Sequence, residues 1–275
     1  MDDLNFLTFE PDFSSPELIA AYDELPLWSA MFGLLLLEEV PLTNETNVLD
    51  VGCGTGFPLI ELAERLGSRA HVHGIDPWSG GLKRAAEKIA SRGTPNVTLH
   101  EGSASAIPFA DATFDLIVSN LGVNNFEDRA AAIRECRRVA RDGATLALTT
   151  NLQGHMRELY AVFEDVLRDA DALQRLRAHV EHRATVANVR ELLENGGFTV
   201  TRVVEREGVM RFADGTALLN HYFIKLGFLD GWKKVMTGDA RLIFTRLRDA
   251  LNVLARENGE LRLTIPMAYI EASAC

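Results

Sequence analysis

The chain has 275 residues, of which 47% are hydrophobic, and it carries a formal net charge of −11 at pH 7. Residues 151–275 hold 17 basic and 17 acidic residues, so the excess negative charge lies in residues 1–150. Such a surface repels phosphate backbones and argues against a nucleic-acid partner.

No apolar run reaches the ~20 residues that span a bilayer, and the acidic N-terminus is unlike a signal peptide. Three cysteines without paired spacing indicate a reducing, cytoplasmic compartment, and no Cys/His spacing indicates a metal site.

Two helices are predicted before the first strand, over residues 15–24 and 26–39. Pro26 is a residue favoured in the first turn of a helix, and Pro41 follows the second helix as a stop. We therefore expect residues 1–45 to form an N-terminal helical segment in front of an α/β core.

The most specific pattern of the chain is an apolar strand that runs into three glycines. The strand contains Asp50, and the glycines are Gly52, Gly54 and Gly56. Glycines at the end of a strand let the backbone approach a ligand closely, because they have no Cβ atom. A dinucleotide fingerprint would need a third glycine at Phe57, and no Gly-Lys-Ser/Thr phosphate loop follows.

The string D-V-G-C-G-T-G resembles the first motif of class I S-adenosylmethionine (SAM) methyltransferases. The resemblance implies a doubly wound, seven-stranded, mostly parallel α/β sheet, with SAM as the cofactor and S-adenosylhomocysteine as its product. It covers residues 46–150 with specific motifs and residues 151–275 in topology only. It also implies that the N-terminal helices form part of a lid, which makes Tyr22 and Trp28 candidate acceptor-binding residues.

Later motifs follow in the order that this resemblance requires. The second predicted strand ends at Asp76, whose carboxylate can accept two hydrogen bonds from a ribose diol. The resemblance gives Asp76 this role and places Pro77 and Trp78 against the adenine. In the turn after the third strand, where the family usually has an aspartate, this chain has Ser103, followed by Ala104.

The fourth predicted strand is an apolar run that suits burial on both faces of a parallel sheet. It ends at Asn120 and Leu121, which we expect near the cofactor, and opens into a loop with Asn124 and Asn125. This loop is similar to the G-L-R-N segment of ubiquinone and menaquinone methyltransferases, with Asn124 in place of the arginine. The two asparagines are therefore candidate acceptor-binding residues, or else turn and cap residues of a helix over 127–139.

The remaining residues, 151–275, are predicted to complete the sheet as part of one structural domain. A long helical insertion over 214–256 separates the last two strands, and insertions of this size usually are functional or cap a binding site. Beyond the glycine-loop strand, the predicted strands are 70–75, 97–100, 114–120, 144–150, 198–204 and 261–270.

We expect the segment after the fifth strand and the insertion to roof a small-molecule pocket. A histidine with an unperturbed pKa near ~6.5 suits proton transfer at neutral pH, so His155 and His221 are candidate catalytic residues. Tyr160 and Tyr222 are candidate acceptor-binding residues of the same roof.

The sequence thus predicts a SAM-dependent methyltransferase that acts on a small molecule by in-line displacement in a capped pocket. Because the cofactor carries the reactivity, the protein mainly aligns the nucleophile with the methyl group. A quinol-type C-methyltransferase is the alternative within the class. Two alternatives come from other classes. One is an NAD-dependent reductase, which is disfavoured by Phe57 and by the absence of a Tyr-x-x-x-Lys pair. The other is a non-catalytic SAM-binding protein. The acceptor and the oligomeric state are left open.

Overall fold

The structure is a computed structural model that describes residues 4–24, 27–43, 46–236 and 238–275. Pro26, the predicted start of the second helix, lies outside the described residues. The chain divides into two compact units. We call one the core unit (Phe13–Thr150, Ala184–Arg206 and Met267–Cys275) and the other the helical unit (residues up to Asp12, Asn151–Arg183 and Glu207–Pro266).

Seven strands form one sheet. They are β1 (Asn47–Val51), β2 (His71–Asp76), β3 (Val97–Glu101), β4 (Phe114–Asn120), β5 (Ala140–Asn151), β6 (Phe198–Phe212) and β7 (Leu261–Ala274). Their order is β3-β2-β1-β4-β5-β7-β6, and β1 is parallel to β2 and β4, as β2 is to β3 and β4 to β5. The order reverses between β1 and β4, and ligands bind at such a reversal in open α/β sheets. The predicted doubly wound, seven-stranded sheet is therefore confirmed.

Strand β1 and the helix that follows it illustrate how apolar spacing builds the core unit. Val48, Leu49 and Val51 are fully buried, as expected for a central strand covered on both faces. In the next helix the buried residues include Leu59, Leu62 and Leu66, which recur at the spacing of one helix face. The strand and the helix thereby hold the glycine loop between two rigid elements.

The described residues form twelve α-helices. They are α1 (Pro16–Glu24), α2 (Leu27–Glu39), α3 (Leu59–Leu66), α4 (Ser79–Arg92), α5 (Arg129–Val139), α6 (Arg157–Val166), α7 (Ala170–Glu181), α8 (Val186–Asn195), α9 (Gly215–Asn220), α10 (Tyr222–Gly227), α11 (Leu229–Val235) and α12 (Ala240–Asn258). In the part of the chain that the structure describes, no single helix has the length and apolarity to cross a membrane. One bent pair, Pro16–Glu24 with Trp28–Glu39 at 53°, passes that test by length and composition alone.

The sixth strand differs most from its prediction. It was expected to end at residue 204, but β6 continues to Phe212. The second half of β6 contains several charged residues, which make a strand hard to predict there. In the fold several of these exposed side chains form ion pairs with residues outside β6. Arg211 Nε, for example, donates to a carboxylate oxygen of Glu260 at 2.8 Å. The helical insertion begins at Gly215, next to the predicted residue 214.

Candidate cofactor site

The glycine loop connects β1 to α3 in a conformation that residues with a Cβ atom rarely adopt. Gly52, Gly54 and Gly56 have φ angles of 82°, 52° and 97°, which lie in the left-handed region. The backbone N–H of Gly52 donates to the carbonyl of Ile75 in β2 at 2.8 Å, which anchors the loop to the sheet. A Cβ atom at Gly54 would meet no other atom within 4 Å. The loop therefore presents open backbone at its centre, as the sequence predicts for a ligand site.

Asp76, at the end of β2, organises the loop through its side chain. One carboxylate oxygen accepts from the backbone N–H of Gly54 at 2.8 Å, and the other accepts from that of Trp78 at 2.8 Å. Burial raises the pKa of Asp76, and the two backbone N–H groups offset part of that effect. Its carbonyl accepts from the N–H of Gly102 at 3.2 Å. Asp76 thus joins the glycine loop, the start of α4 and the turn after β3.

Asp50 is a buried carboxyl group in β1, directly before the glycine loop. Its exposed fraction is 0%, and among the described residues neither carboxylate oxygen has a hydrogen-bond partner. Burial, and to a smaller extent the charge of Asp76, raise the pKa of Asp50 to about 8. A buried carboxyl without partners is costly unless another group satisfies it. A cationic group of a ligand would do so, because an opposite charge stabilises the ionised form.

Trp78 is held by the N-terminal part of the core unit. Its indole N–H donates to the carbonyl of Phe13 at 2.9 Å, and Phe13 and Tyr22 pack edge-to-face with it at ring distances of 6.0 and 5.2 Å. The indole also lies against the start of α4, where a Cβ atom at Gly81 would be 2.5 Å from the ring. Burial and then the charge of Asp76 raise the pKa of Tyr22. The proposed adenine contact of Trp78 stays a prediction.

Ser103, a predicted cofactor-binding residue, takes part in a local turn. Its hydroxyl accepts from the N–H of Ser105 at 3.2 Å, and its carbonyl accepts from that of Ala106 at 3.1 Å. Short polar side chains commonly stabilise turns in this way. Ser103 and Pro77 are exposed and Ala104 is half-buried, and their cofactor contacts stay predictions.

Asn120 and Leu121 fasten the end of β4 to its neighbours. The amide oxygen of Asn120 accepts from the hydroxyl of Thr149 at 2.7 Å, and its amide nitrogen donates to the carbonyl of Ser29 in α2 at 3.1 Å. Leu121 has a φ of 63° and donates its N–H to the carbonyl of Thr149 at 3.1 Å. Both the amide oxygen and the amide nitrogen of Asn120 thus have protein partners. Trp28, a predicted acceptor-binding residue, lies half-buried in α2, the helix that contains Ser29.

The loop after β4 begins with a single 3-10 turn. The side-chain oxygen of Asn124 accepts from the hydroxyl of Thr150 at 2.6 Å, which orients the residue, whereas Asn125 is exposed. The alternative role of these asparagines as helix caps is wrong for α5, because Asp128 caps that helix. A role of Asn124 and Asn125 in acceptor binding stays a prediction.

The glycine loop and the loop after β4 are in backbone contact. A Cβ atom at Gly52 would lie 3.3 Å from the Cα atom of Gly122. A Cβ atom at Gly122 would lie 2.7 Å from the carbonyl oxygen of Val51 and would also clash with the hydroxyl of Ser119. That hydroxyl donates to the same carbonyl at 2.7 Å. Two glycines therefore let the predicted cofactor and acceptor loops touch.

In the helical unit, His155 is enclosed in an aromatic cluster. Its exposed fraction is 0%, and its ring lies 5.4 Å from that of Tyr160 and 6.1 Å from that of Phe228. Burial, and then the charge of Arg183, lower the pKa of His155 to about 3. The expectation of an unperturbed imidazole is therefore wrong, and His155 is a weak base. Tyr160 is buried in the same cluster, where its hydroxyl accepts from the indole N–H of Trp232 at 3.2 Å.

His221 and Tyr222 lie at the start of α10 and are half-buried. The ring of Tyr222 packs edge-to-face with that of Phe9 at 5.5 Å, and the ammonium group of Lys225 lies 5.4 Å from its centre. Burial, and then the charge of Lys225, lower the pKa of His221. His221 is thus also a weaker base than expected, and the catalytic roles of His155 and His221 stay predictions.

The three cysteines differ in their exposure to solvent. Cys53, inside the glycine loop, and Cys136, in α5, are both buried, and burial raises the pKa of each thiol. Cys275 is exposed. No group of three or more potential metal ligands occurs within the described ranges.

The sequence did not single out two residues that the structure places beside the glycine loop. Thr55 lies between Gly54 and Gly56, and its hydroxyl bonds to the carboxylate of Asp23 in α1. No local pattern could have paired them, because Asp23 lies in a predicted helix far away in the sequence.

An α/β sheet with a glycine loop after its first strand and an acidic residue at the end of its second is typical of enzymes that bind a nucleotide-like cofactor. Here the first strand also carries a buried carboxyl without a hydrogen-bond partner among the described residues. A family model described as "Methyltransferase domain" matches residues 42–208. The chain belongs to this family, and it is a SAM-dependent methyltransferase.

Named relatives agree with this membership. The demethylmenaquinone methyltransferase of Listeria monocytogenes serotype 4a (strain HCC23) is 30% identical over 175 residues, which are 59% of this chain and 74% of the relative. That of Anoxybacillus flavithermus (strain DSM 21510 / WK1) is 36% identical over 135 residues, 48% of this chain and 57% of the relative. A solved SAM-dependent methyltransferase from Aquifex aeolicus has a TM-score of 0.53 and 25% identity, covering 69% of this chain and 92% of that one.

Proposed function

We propose that the core unit holds SAM along the glycine loop, with Asp76 on the ribose and Asp50 beside a cationic group. The observation that carries this assignment is the buried Asp50 carboxyl, which has no hydrogen-bond partner among the described residues. SAM fits this chemistry because it carries a sulfonium and an α-ammonium group, and when bound it supplies an electrophilic methyl group. Open backbone at Gly54 supports the same placement.

We further propose that the acceptor is a reduced, quinol-type ring. This is supported by the loop at Gly122–Asn125, which is similar to the G-L-R-N segment of quinone methyltransferases, and by relatives that are named demethylmenaquinone methyltransferases. Asn124 replaces the arginine of that segment, so an uncharged amide, oriented by Thr150, would face the acceptor.

The acceptor proposal is tested by measuring S-adenosylhomocysteine formation from SAM with a short-chain demethylmenaquinol. We expect turnover with the quinol under reducing conditions and none with the oxidised quinone, because only the electron-rich ring is a carbon nucleophile. Small phenols and amines serve as comparison acceptors. Turnover with an amine or a simple phenol but not with the quinol would contradict the acceptor class while leaving SAM-dependent methyl transfer intact.

The Asp50 assignment predicts that SAM binding releases a proton. With a pKa of about 8, the free Asp50 carboxyl is mostly protonated at pH 6.5. A cation placed beside it lowers this pKa, so we expect release of about one proton per SAM bound at pH 6.5, and an affinity that rises with pH until about pH 8. Isothermal titration in two buffers with different ionisation enthalpies measures the proton count.

The control for this prediction is Asp50→Asn, which keeps the shape of the side chain and removes its titration. The variant should bind SAM without proton release at the same pH. An equal release from the variant would show that another group titrates. Repeating the titration with S-adenosylhomocysteine, which lacks the sulfonium, then tells which cationic group Asp50 faces.

A further inference from the structure

Asp23, in the last turn of helix α1, carries a carboxylate that joins three parts of the core unit. Asp23 accepts from Arg84 Nε at 2.8 Å and from Lys88 Nζ at 2.5 Å, and both donors lie in α4. It also accepts from the hydroxyl of Thr55, which is buried inside the glycine loop. One side chain therefore ties α1 to the loop and to the helix that follows Asp76.

The residue before Asp23 approaches the same site from α1. Tyr22 packs edge-to-face on Trp78 at the start of α4, and the charge of Asp76 contributes to the raised pKa of Tyr22. Within one helical turn, α1 thus contacts the glycine loop and the start of α4 and lies in the field of Asp76. These are the segments to which the cofactor is assigned.

The contacts of Asp23 are electrostatic and only partly shielded from water. Its side chain is 9% exposed, whereas those of Arg84 and Lys88 are 33% and 22% exposed. Burial raises the pKa of Asp23, but the bonds from Lys88, Arg84 and Thr55 outweigh it, so the net pKa is lowered and the carboxylate is charged at neutral pH. Arg84 also pairs with Glu87 at 3.3 Å. Pairs with partly exposed cations are weakened by salt.

We propose that Asp23 latches helix α1 onto the cofactor site, and that SAM and S-adenosylhomocysteine exchange only when this latch opens. The proposal rests on the cofactor placement given under Proposed function. Asp23 is a positioning residue, because it acts through Thr55 and α4 and not on the reacting atoms. Weakening the latch therefore accelerates both association and dissociation of the cofactor, and affects the dissociation constant less than either rate.

The test is stopped-flow tryptophan fluorescence of S-adenosylhomocysteine binding, since Trp78 lies between α1 and α4. We expect Asp23→Asn to raise both rate constants about tenfold, a change that corresponds to the loss of a moderate ion-pair interaction. The matched control is Glu24→Gln, which removes an exposed carboxylate from the next position of the same helix and should leave both rates unchanged.

Salt provides a second measurement that needs no variant. Raising the ionic strength to about 1 M should accelerate exchange in the unsubstituted protein and have little effect on Asp23→Asn, because the latch is already weakened there.

Equal rates for Asp23→Asn and the unsubstituted protein, or exchange that salt leaves unchanged in the unsubstituted protein, would overturn the latch. If Asp23→Asn does not fold, Thr55→Val removes the loop bond alone and should also accelerate exchange. A protein that binds no S-adenosylhomocysteine would overturn the cofactor placement together with the latch.

Discussion

Replacing Asp76 with alanine should weaken SAM binding by about 1.5–3 kcal/mol, or roughly 10- to 150-fold, the range for lost hydrogen bonds to a charged group. The proposed ribose contacts disappear with the carboxylate. The N–H groups of Gly54 and Trp78 also lose their acceptor, so the glycine loop is held less firmly. Isothermal titration with SAM and with S-adenosylhomocysteine measures the effect, which should be similar for both because they share the ribose.

The control for this prediction is Asp142→Ala. Asp142 is a highly exposed carboxylate in the first part of β5, paired with Arg137, and is far along the strand from its carboxyl end. Its removal should change neither affinity nor fold. An Asp76→Ala protein with a native circular-dichroism spectrum and unchanged SAM affinity would show that the ribose lies elsewhere.

Replacing Gly122 with alanine should lower the free energy of unfolding by about 3 kcal/mol, the upper range for overpacking a tight interior. The new methyl group would press on the carbonyl of Val51 and on the hydroxyl of Ser119, and backbone atoms cannot move aside as a flexible side chain can. Because Gly52 touches Gly122, the shift would also displace the glycine loop. Urea unfolding followed by circular dichroism measures the loss, and SAM affinity should fall with it.

Gly227→Ala is the matched control. A Cβ atom there would lie 3.6 Å from the ring of Phe223, an ordinary contact, in the last position of α10. Alanine is the better helix former, so the change in stability should stay within about 1 kcal/mol. If Gly122→Ala were as stable as this control, the backbone contact between the two loops would be looser than the structure shows.

The features that the sequence predicted well depend on short spacing along the chain. Asp50, Gly52, Gly54 and Gly56 lie within seven residues, and the strand and helix on either side are strongly apolar. Their spacing constrains the backbone locally, so the strand, the loop and the helix follow from it. The alternation of strands and helices then allows few topologies other than a doubly wound sheet.

The features that the sequence did not predict depend on contacts between distant residues. Asp23 and Thr55 meet only after α1 packs on the glycine loop, and no pattern in α1 marks one acidic residue among several. The pKa of His155 depends on its aromatic surroundings and on Arg183, which a sequence-based estimate cannot include. β6 was predicted too short because its second half is rich in charged residues, which are unusual in a strand. Their ion pairs with other parts of the fold cannot be read from composition.

The distribution of the three thiols gives the protein one natural attachment point for a probe. Thiolates are the reactive form of cysteine, and burial suppresses them at Cys53 and Cys136, whereas Cys275 is exposed. A maleimide dye added to the unsubstituted protein would therefore attach at Cys275. Since Cys275 follows directly on β7, such a dye would sit beside the sheet without altering the glycine loop, and single-molecule or surface-immobilisation experiments could begin without a cysteine-free background.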